Sequence, residues 1–502
     1  MTVSPSAIDE DGAPSSSGAT AVPPEQRRSW SVSPRRVRWT GVGGVLLLTA
    51  ATWTALVVPG AAPGTATLLL AAEVTGTGAV VLAWLLLGIR AQAPLPPARW
   101  LTRTLALWCA PLLVAPPLFS RDVYSYLAQG EIAARSMDPG SVSPVAGLGA
   151  TSEVVGRVDT PWQDTVSPYG PLATWVQRQA TDLSGGDVVT GVVAHRLVAV
   201  LGLVLVVWAL PRLAARTGVS PSAALWLGAL NPLVLWHLVA GVHNDALMLG
   251  LALAGSAVAL DALDGRLDRR RFALGLVLVV SAVAVKAPAV LALAVIGTAW
   301  ARRRGGTGRD LVRAALGALL VLVVGLGMVQ VLTGSGAGWV RALGTPGEVA
   351  SWLAPTNWAG LLIAGADGGP FAAVVLGAGR AVGSVLALCG IVVVLLLQLG
   401  GRIGDVAALG AASALVVALG PVVQPWYLLW AVLPLAAVGV AGWARRALVG
   451  VVAVAAVLIP PMAGDHGDRV GQLVVGYALA AAVLGVGVLL VCRTAPVDRA
   501  VR

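Results

Sequence analysis

The stretch RRRFALGLVLVVSAVAVKAPAVLALAVIGTAWARRR, residues 269–304, decides how this chain is built. Arg269, Arg270 and Arg271 open it, Arg302, Arg303 and Arg304 close it, and an apolar run of about 29 residues lies between. A helix crosses the hydrocarbon core of a bilayer with about 20 apolar residues, and flanking arginines stay on the cytoplasmic side. One crossing would leave an arginine cluster on each side, against that rule. The run is interrupted at Lys286-Ala287-Pro288. Reading it as two short helices that meet at the outer surface returns both clusters to the inside.

Working outward, similar apolar blocks lie near 41–60, 66–90, 101–119, 188–211, 220–240, 243–263, 310–333, 371–399, 405–420, 424–442, 446–463 and 470–492. Strands are a poor alternative, because the blocks are continuous and not alternating. The expected class is an all-α polytopic membrane protein with about 13–14 spanning helices and both termini cytoplasmic. Arg35, Arg36, Arg38, Arg90, Arg99, Arg103, Arg212, Arg216, Arg266, Arg402, Arg445, Arg446 and Arg493 then all fall inside. Residues 1–38, rich in Ser, Pro, Gly and Ala and carrying Arg27 and Arg28, read as a disordered cytoplasmic tail. Residues 39–495 form the transmembrane domain, and 496–502 a short cytoplasmic tail. No secretory signal peptide is visible, since the first apolar block starts late and runs long.

Composition agrees. Of 502 residues, 57% are hydrophobic and 12% charged, against roughly 25% charged in soluble domains. The net charge of +10 does not point to nucleic acid, because the arginines sit in short clusters between apolar blocks, without aromatic interleaving. Cys109, Cys389 and Cys492 all fall in apolar blocks, so no disulfide is expected. Lys286 is the sole lysine.

With that sidedness, the polar and aromatic clusters gather on the outer face. A loop of about 68 residues, 120–187, carries Ser120-Arg121-Asp122-Val123-Tyr124-Ser125-Tyr126 and Ser167-Pro168-Tyr169-Gly170-Pro171-Leu172. His243-Asn244-Asp245, Lys286-Ala287-Pro288, the stretch from Trp339 to Trp358, Gln424-Pro425-Trp426-Tyr427 and Asp465-His466-Gly467-Asp468 join it. Chemistry carried on loops over a rigid scaffold is a common way to build a site.

Each cluster has two readings. Asp122, at the water–lipid boundary, suits a general base whose pKa partial burial would raise; it also suits a helix N-terminus. Lys286, alone at the apex of a broken hairpin, could bind a phosphate or anchor at the interface. Arg196, a turn or two into its span, is a second candidate phosphate ligand. Asp245 could contact substrate or complement a helix dipole. Trp352, Trp358, Trp426, Tyr427 and Trp430 suit either an interfacial belt or a sugar-stacking platform. Glu73, inside its span, is a functional candidate or an acid that holds helices together. One histidine and two aspartates at 465–468 are a weak metal signal, and no metal or cofactor is expected.

Taken as a set, SRDVYSY at 120–126, SPYGPL at 167–172, HNDALM at 243–248, KAPA at 286–289 and QPWYLLW at 424–430 resemble the actinobacterial polyprenol-phosphomannose-dependent α-1,6-mannosyltransferases. The resemblance covers roughly residues 41–490. It implies a GT-C glycosyltransferase bundle whose large first extracytoplasmic loop carries a catalytic acid, and Asp122 matches that position. It departs from the class in having Arg121 where a paired acid often stands, and in showing no large C-terminal extracytoplasmic domain.

The resemblance also implies a polyprenyl phosphomannose donor and a glycolipid or mannan acceptor. Transfer would take place on the outer face of the cell membrane, in an α-1,6 linkage of the lipomannan-core type, among membrane lipids and without nucleic acid. Substrate contacts are expected from Arg121, Tyr124, Tyr126, Tyr169, Arg196, His243, Asn244, Asp245, Lys286, Trp426 and Tyr427. Displacing phosphate from C1 passes through an oxocarbenium-like state, which needs a base for the acceptor hydroxyl and cations for the departing phosphate. The rival readings are a GT-C transferase of another sugar, such as arabinofuranose, and a lipid or glycan transporter. Transporter folds usually show internal repeats, and no half-chain repeat is visible here.

Overall fold

The computed structural model describes residues 33–58, 62–88, 94–348, 351–367, 369–461 and 469–493. Most of the N-terminal tail, including Arg27 and Arg28, lies outside the described residues, as do Arg90, the Asp465-His466-Gly467-Asp468 turn and the 496–502 tail.

Local chemistry sets the helix starts. Proline stands in the first turn of α1 (Pro34–Val57), and Pro63 opens α2 (Pro63–Gly88), where its missing N–H goes unneeded. After α3 (Ala98–Leu113) the chain leaves the long helices. The expected loop folds as α4 (Asp122–Ala134), α5 (Pro144–Leu148), α6 (Glu153–Arg157), α7 (Thr160–Gln163) and α8 (Pro171–Ser184). Asp187 caps α9 (Val188–Arg216), accepting the Thr190 N–H at 2.7 Å.

A short α10 (Pro221–Ala224) runs into two π-helical turns, Leu225–Ala229 and Val234–Ala240, bent by 63° at the intervening break, where Asn231 and Pro232 lie. Then come α11 (Asp245–Ala262), α12 (Arg269–Val285) and α13 (Val290–Arg303). Next is α14 (Gly308–Thr333), opened by a reciprocal Thr307/Asp310 capping box. The chain finishes with α15 (Trp358–Asp367), α16 (Pro370–Leu399), α17 (Asp405–Leu419), α18 (Leu428–Val438), α19 (Gly442–Leu458) and α20 (Val470–Arg493).

No strand occurs among the described residues, and the all-α polytopic class is as expected. Seven helices (α1, α2, α9, α11, α14, α16 and α20) are long and apolar enough to cross a bilayer, and the bent pair would make eight. Six more (α3, α12, α13, α17, α18 and α19) run only 11–17 residues. Of the expected 13–14 crossings, seven, or eight with the bent pair, are met by helices of spanning length among the described residues. The break at Lys286-Ala287-Pro288 is present: α12 stops at Val285, Ala287–Ala289 makes one 3-10 turn, and α13 restarts at Val290.

Inside the bundle, α1 packs on α2 and α11 on α9 and α12. Glu73 accepts from Thr52 Oγ1 at 3.1 Å, which is the helix-holding reading of that acid. At the arginine-rich end, Arg216 pairs with Asp261 (2.7 Å) and Asp264 (2.6 Å), Arg303 with Asp264 (3.3 Å) and Asp405 (3.4 Å), and Arg302 with Asp405 (3.1 Å). This network ties the ends of α9, α11 and α13 to the start of α17. The other ends of α9, α11 and α12 meet the α4–α8 segment, and the candidate residues collect there.

Candidate active site

Asp122 is the first residue of α4, and its N–H donates to Ser120 Oγ at 3.1 Å. Its approach is strained. Phe119, three residues before, has φ +64°, and Val242, just before His243, has φ +57°. A positive φ is uncommon for bulky and β-branched side chains and persists only where surrounding structure enforces it. Here Leu118 N–H donates to Ala240 O (3.2 Å), Phe119 N–H to Pro461 O (2.9 Å) and His243 N–H to His237 O (3.1 Å). The two strained turns bring Asp122 Oδ2 to 3.4 Å from His243 Nδ1, an ion-pair distance without the alignment of a hydrogen bond. The His243 ring stacks on Trp426 with centroids 3.7 Å apart.

Burial alone would raise the Asp122 pKa, as the sequence leads one to expect. The His243 imidazole, the Lys286 charge and the Ser120 hydroxyl outweigh it, so the carboxyl is held below its ordinary range. That expectation is corrected: Asp122 is a carboxylate kept ionised, and not one poised near neutrality.

Asp245 begins α11 with its side chain fully buried. Its Oδ2 lies 2.8 Å from Lys286 Nζ, and its Oδ1 accepts from Trp430 Nε1 at 2.7 Å. The Lys286 ammonium is enclosed by three rings, with centroids at 4.7 Å (Tyr427), 5.5 Å (Trp430) and 5.6 Å (Tyr169). Burial opposes its charge, but Asp245 and the tyrosines more than compensate, and its pKa is raised. The sequence shows a lone ammonium; in the fold it has a carboxylate partner.

Gly170 seats the third ring. Its N–H donates to Val285 O at 3.2 Å, and a Cβ there would stand 2.3 Å from Ala284 O. Only glycine lets the 167–172 loop lie this close to the end of α12, which puts Tyr169 beside Lys286.

The fold thus brings together Asp122, Tyr126, Tyr169, His243, Asp245, Lys286, Trp426 and Tyr427, with Tyr126 edge-on to Tyr169 at 5.5 Å. Asn244 lines a neighbouring cleft. Three expected contacts are placed otherwise. Arg121 turns outward to Asp159 at 3.8 Å, and Tyr124 lies under Arg157 at 6.0 Å. Arg196 donates to the carbonyls of Leu113 (2.8 Å) and Ala240 (3.5 Å), so it serves backbone groups left over at the end of α3 and of the bent pair. Of the aromatics, Trp352 and Trp358 are 61% and 54% exposed, outside the enclosed set.

Three residues escaped sequence reading. Asp159 is a second carboxyl within the field of Asp122; burial, and then the Asp122 charge, push it up. Nothing in its neighbourhood of sequence marks it. Gln177 and His195 line the same cleft as Asn244, and His195, polar within an apolar span, was the available signal.

Comparison with known proteins follows the same lines. Residues 38–302 match the family model described as Alpha-(1->6)-mannopyranosyltransferase, N-terminal domain, and residues 356–491 match the MptB C-terminal domain. A probable alpha-(1->6)-mannopyranosyltransferase of Mycolicibacterium smegmatis is 41% identical over 424 residues, covering 78% of this chain and 75% of the relative. An alpha-(1->6)-mannopyranosyltransferase of Mycobacterium tuberculosis is 38% identical, over 84% of this chain and 79% of the relative. Alpha-(1->6)-mannopyranosyltransferase B of Corynebacterium glutamicum is 35% identical, over 74% and 65%. No solved structure matches.

Proposed function

Because the chain belongs to the alpha-(1->6)-mannopyranosyltransferase family, we propose that it transfers mannose from polyprenyl phosphomannose to a mannoside or glycolipid acceptor, forming an α-1,6 linkage on the outer face of the cell membrane. The observation that carries this reading is the juxtaposition of an ionised Asp122 with the caged Lys286–Asp245 pair at one end of the helices. A glycosyl transfer from a phosphate needs a base and a cation side by side.

In the proposed step, the acceptor hydroxyl oxygen forms its bond to C1 of mannose as the C1–O(phosphate) bond breaks. The bonding pair leaves with the phosphate oxygen, and the hydroxyl proton passes to Asp122, with His243 beside it to share the charge. One displacement inverts the anomeric centre, so a β-linked donor gives an α product. Asp122 is a weak base, which suits an oxocarbenium-like transition state in which C1 departs from phosphate ahead of nucleophile attack. Lys286 stabilises the departing phosphate, aided by aromatic faces that exclude water.

A shallow apolar groove adjoins this pair, lined by Met248, Leu253, Leu291, Leu409, Trp430 and Pro434. It supports a donor whose phosphate sits at Lys286 and whose hydrocarbon chain runs among the helices. The outer-face placement rests on Arg216, Arg302 and Arg303 lying at the opposite helix ends, as cytoplasmic arginines do.

The test is mannose transfer from polyprenyl phosphomannose in membranes holding the parent or Asp122→Asn at matched levels. Transfer by the parent and its loss in the variant support the reading; a parent that transfers another sugar and not mannose ends it.

A further inference from the structure

Beside the acid–cation site, a narrow, partly enclosed cleft of about 20 Å³, room for one or two waters as it stands, lies between α4, α8, α9, α11 and the end of α12. Half of its lining is Val and Ala, but four of its side chains end in polar atoms without a protein hydrogen-bond partner among the described residues: Tyr126 Oη, Gln177 Oε1, His195 Nε2 and both amide atoms of Asn244. His243, on the same wall, leaves Nε2 unpaired as well. Tyr126, Gln177, His195 and His243 are each more than nine-tenths buried. A buried polar atom left without a partner costs stability, and native interiors hold few of them. Five such side chains around one cleft mark a place that a polar molecule completes.

The character of these atoms narrows the ligand. Gln177 Nε2 donates to Gln129 Oε1 at 2.9 Å, so its Oε1 is offered as an acceptor. His195 Nδ1 donates to Gly191 O at 2.9 Å, so its Nε2 carries a lone pair. A phosphate or carboxylate would meet two fixed acceptors and be repelled. A molecule with several hydroxyl donors and an apolar ring face matches this chemistry, since its hydroxyls satisfy the acceptors and its ring can rest on the Val and Ala side chains.

We infer that this cleft is a hexopyranosyl subsite, in which Gln177 and His195 read sugar hydroxyls together with Tyr126, His243 and Asn244. The inference rests on the mannosyltransferase reading and adds to it the residues that recognise the sugar. Side chains must part for a ring to enter, which links sugar binding to the order of this end of α8 and α9.

The test uses, in the full chain, Tyr126→Phe, which deletes a hydroxyl that no residue satisfies and so spares the fold, and His195→Phe, which deletes the unpaired Nε2 together with the Nδ1 bond to Gly191 O. Thermal unfolding in detergent is followed with and without methyl α-mannopyranoside and short-chain polyprenyl phosphomannose, beside transfer kinetics. The expected results are an unfolding temperature at or above the parent's for Tyr126→Phe, a smaller shift with the sugars in both variants, and a KM raised about two- to tenfold per lost hydrogen bond to sugar, with kcat little changed. A rise in donor KM alone assigns the subsite to the donor sugar; a rise in acceptor KM alone assigns it to the acceptor. Variants that gain stability while keeping parental sugar shifts and KM would overturn the subsite with the activity reading intact, as would a parent that no hexoside stabilises. A parent that transfers no mannose, yet loses hexoside binding in the variants, would sink the activity reading and leave the subsite standing.

Discussion

Lys286 and Asp245, separated by 41 positions in the chain, meet at 2.8 Å with the carboxylate wholly buried and Trp430 holding its second oxygen at 2.7 Å. The pair explains how the sole lysine is carried at depth as a charge. It also means that a phosphate arriving at the ammonium joins an existing carboxylate and does not meet a bare cation.

Lys286→Met should abolish most donor use and also lower stability. Removing one partner of a buried ion pair leaves the other charge uncompensated, at about 3–5 kcal/mol. Adding Asp245→Asn should restore much of the unfolding temperature without restoring transfer. If the double variant regains transfer along with stability, Lys286 is a structural partner of Asp245 only. Lys286→Arg should keep part of the activity, because charge survives while the planar fork fits the ring cage poorly.

Asp122→Asn should reduce turnover by roughly 10²–10⁴-fold, the usual contribution of a positioned acid–base group, with folding and donor binding kept. Near-parental initial rates at matched protein levels would remove the assignment.

The pH dependence follows from the direction of the Asp122 shift. A base held below its ordinary range stays ionised as pH falls towards that range, so the acid limb of kcat/KM should lie below the pH at which a free aspartate titrates. His243→Phe keeps the stacking on Trp426 but removes the imidazole that lowers the carboxyl. Only Lys286 and the Ser120 hydroxyl then oppose burial, and the acid limb should move to higher pH. A pH–rate profile of the two proteins measures this; an unmoved limb would show that another group sets it.

Gly170→Ala should misplace Tyr169. With Ala284 O only 2.3 Å from the new Cβ, the 167–172 loop must lift from α12, and the ring above Lys286 goes with it. Transfer should fall at least tenfold while the rest of the bundle keeps its protease resistance, measured by limited proteolysis beside activity.

Sidedness is checked by labelling. In a background without the native cysteines, Thr151→Cys should react with an impermeant thiol reagent on intact cells, and Arg266→Cys should react only after permeabilisation. Both positions are exposed. Ser167, although it belongs to the loop, is buried and would report nothing. The reverse pattern would move the whole site to the cytoplasm.

Periodicity and charge made the helices, the broken hairpin at Lys286 and the gathering of Asp122, His243, Lys286 and Trp426 legible, since those depend on apolar length and on which end of a helix a residue occupies. Pairing was not legible. Nothing in the spacing tells that Asp245 meets Lys286, that Arg196 is occupied by the carbonyls of Leu113 and Ala240, or that Arg121 and Tyr124 turn away while Tyr126 turns in. Those outcomes depend on the rotation of each helix about its axis, which a run of Ala, Val and Leu leaves nearly free until packing decides it. His195 was visible as a polar residue in an apolar span, and Asp159 had no such mark.

Helix α12 acts as a ruler. From Arg269 to Lys286 there are 17 steps, and at 1.5 Å each they span about 25 Å. On the proposed sidedness, with the arginines at one face of the bilayer, that length sets the height of the ammonium close to the opposite headgroup layer and not at the midplane. On the proposed function, substrate is then sorted partly by depth: a lipid phosphate floats at this level by itself, whereas a water-soluble sugar phosphate has no reason to linger there. Removing one residue from α12 would draw Lys286 down by about 1.5 Å and turn it through about 100°, out of register with both the membrane surface and its ring cage.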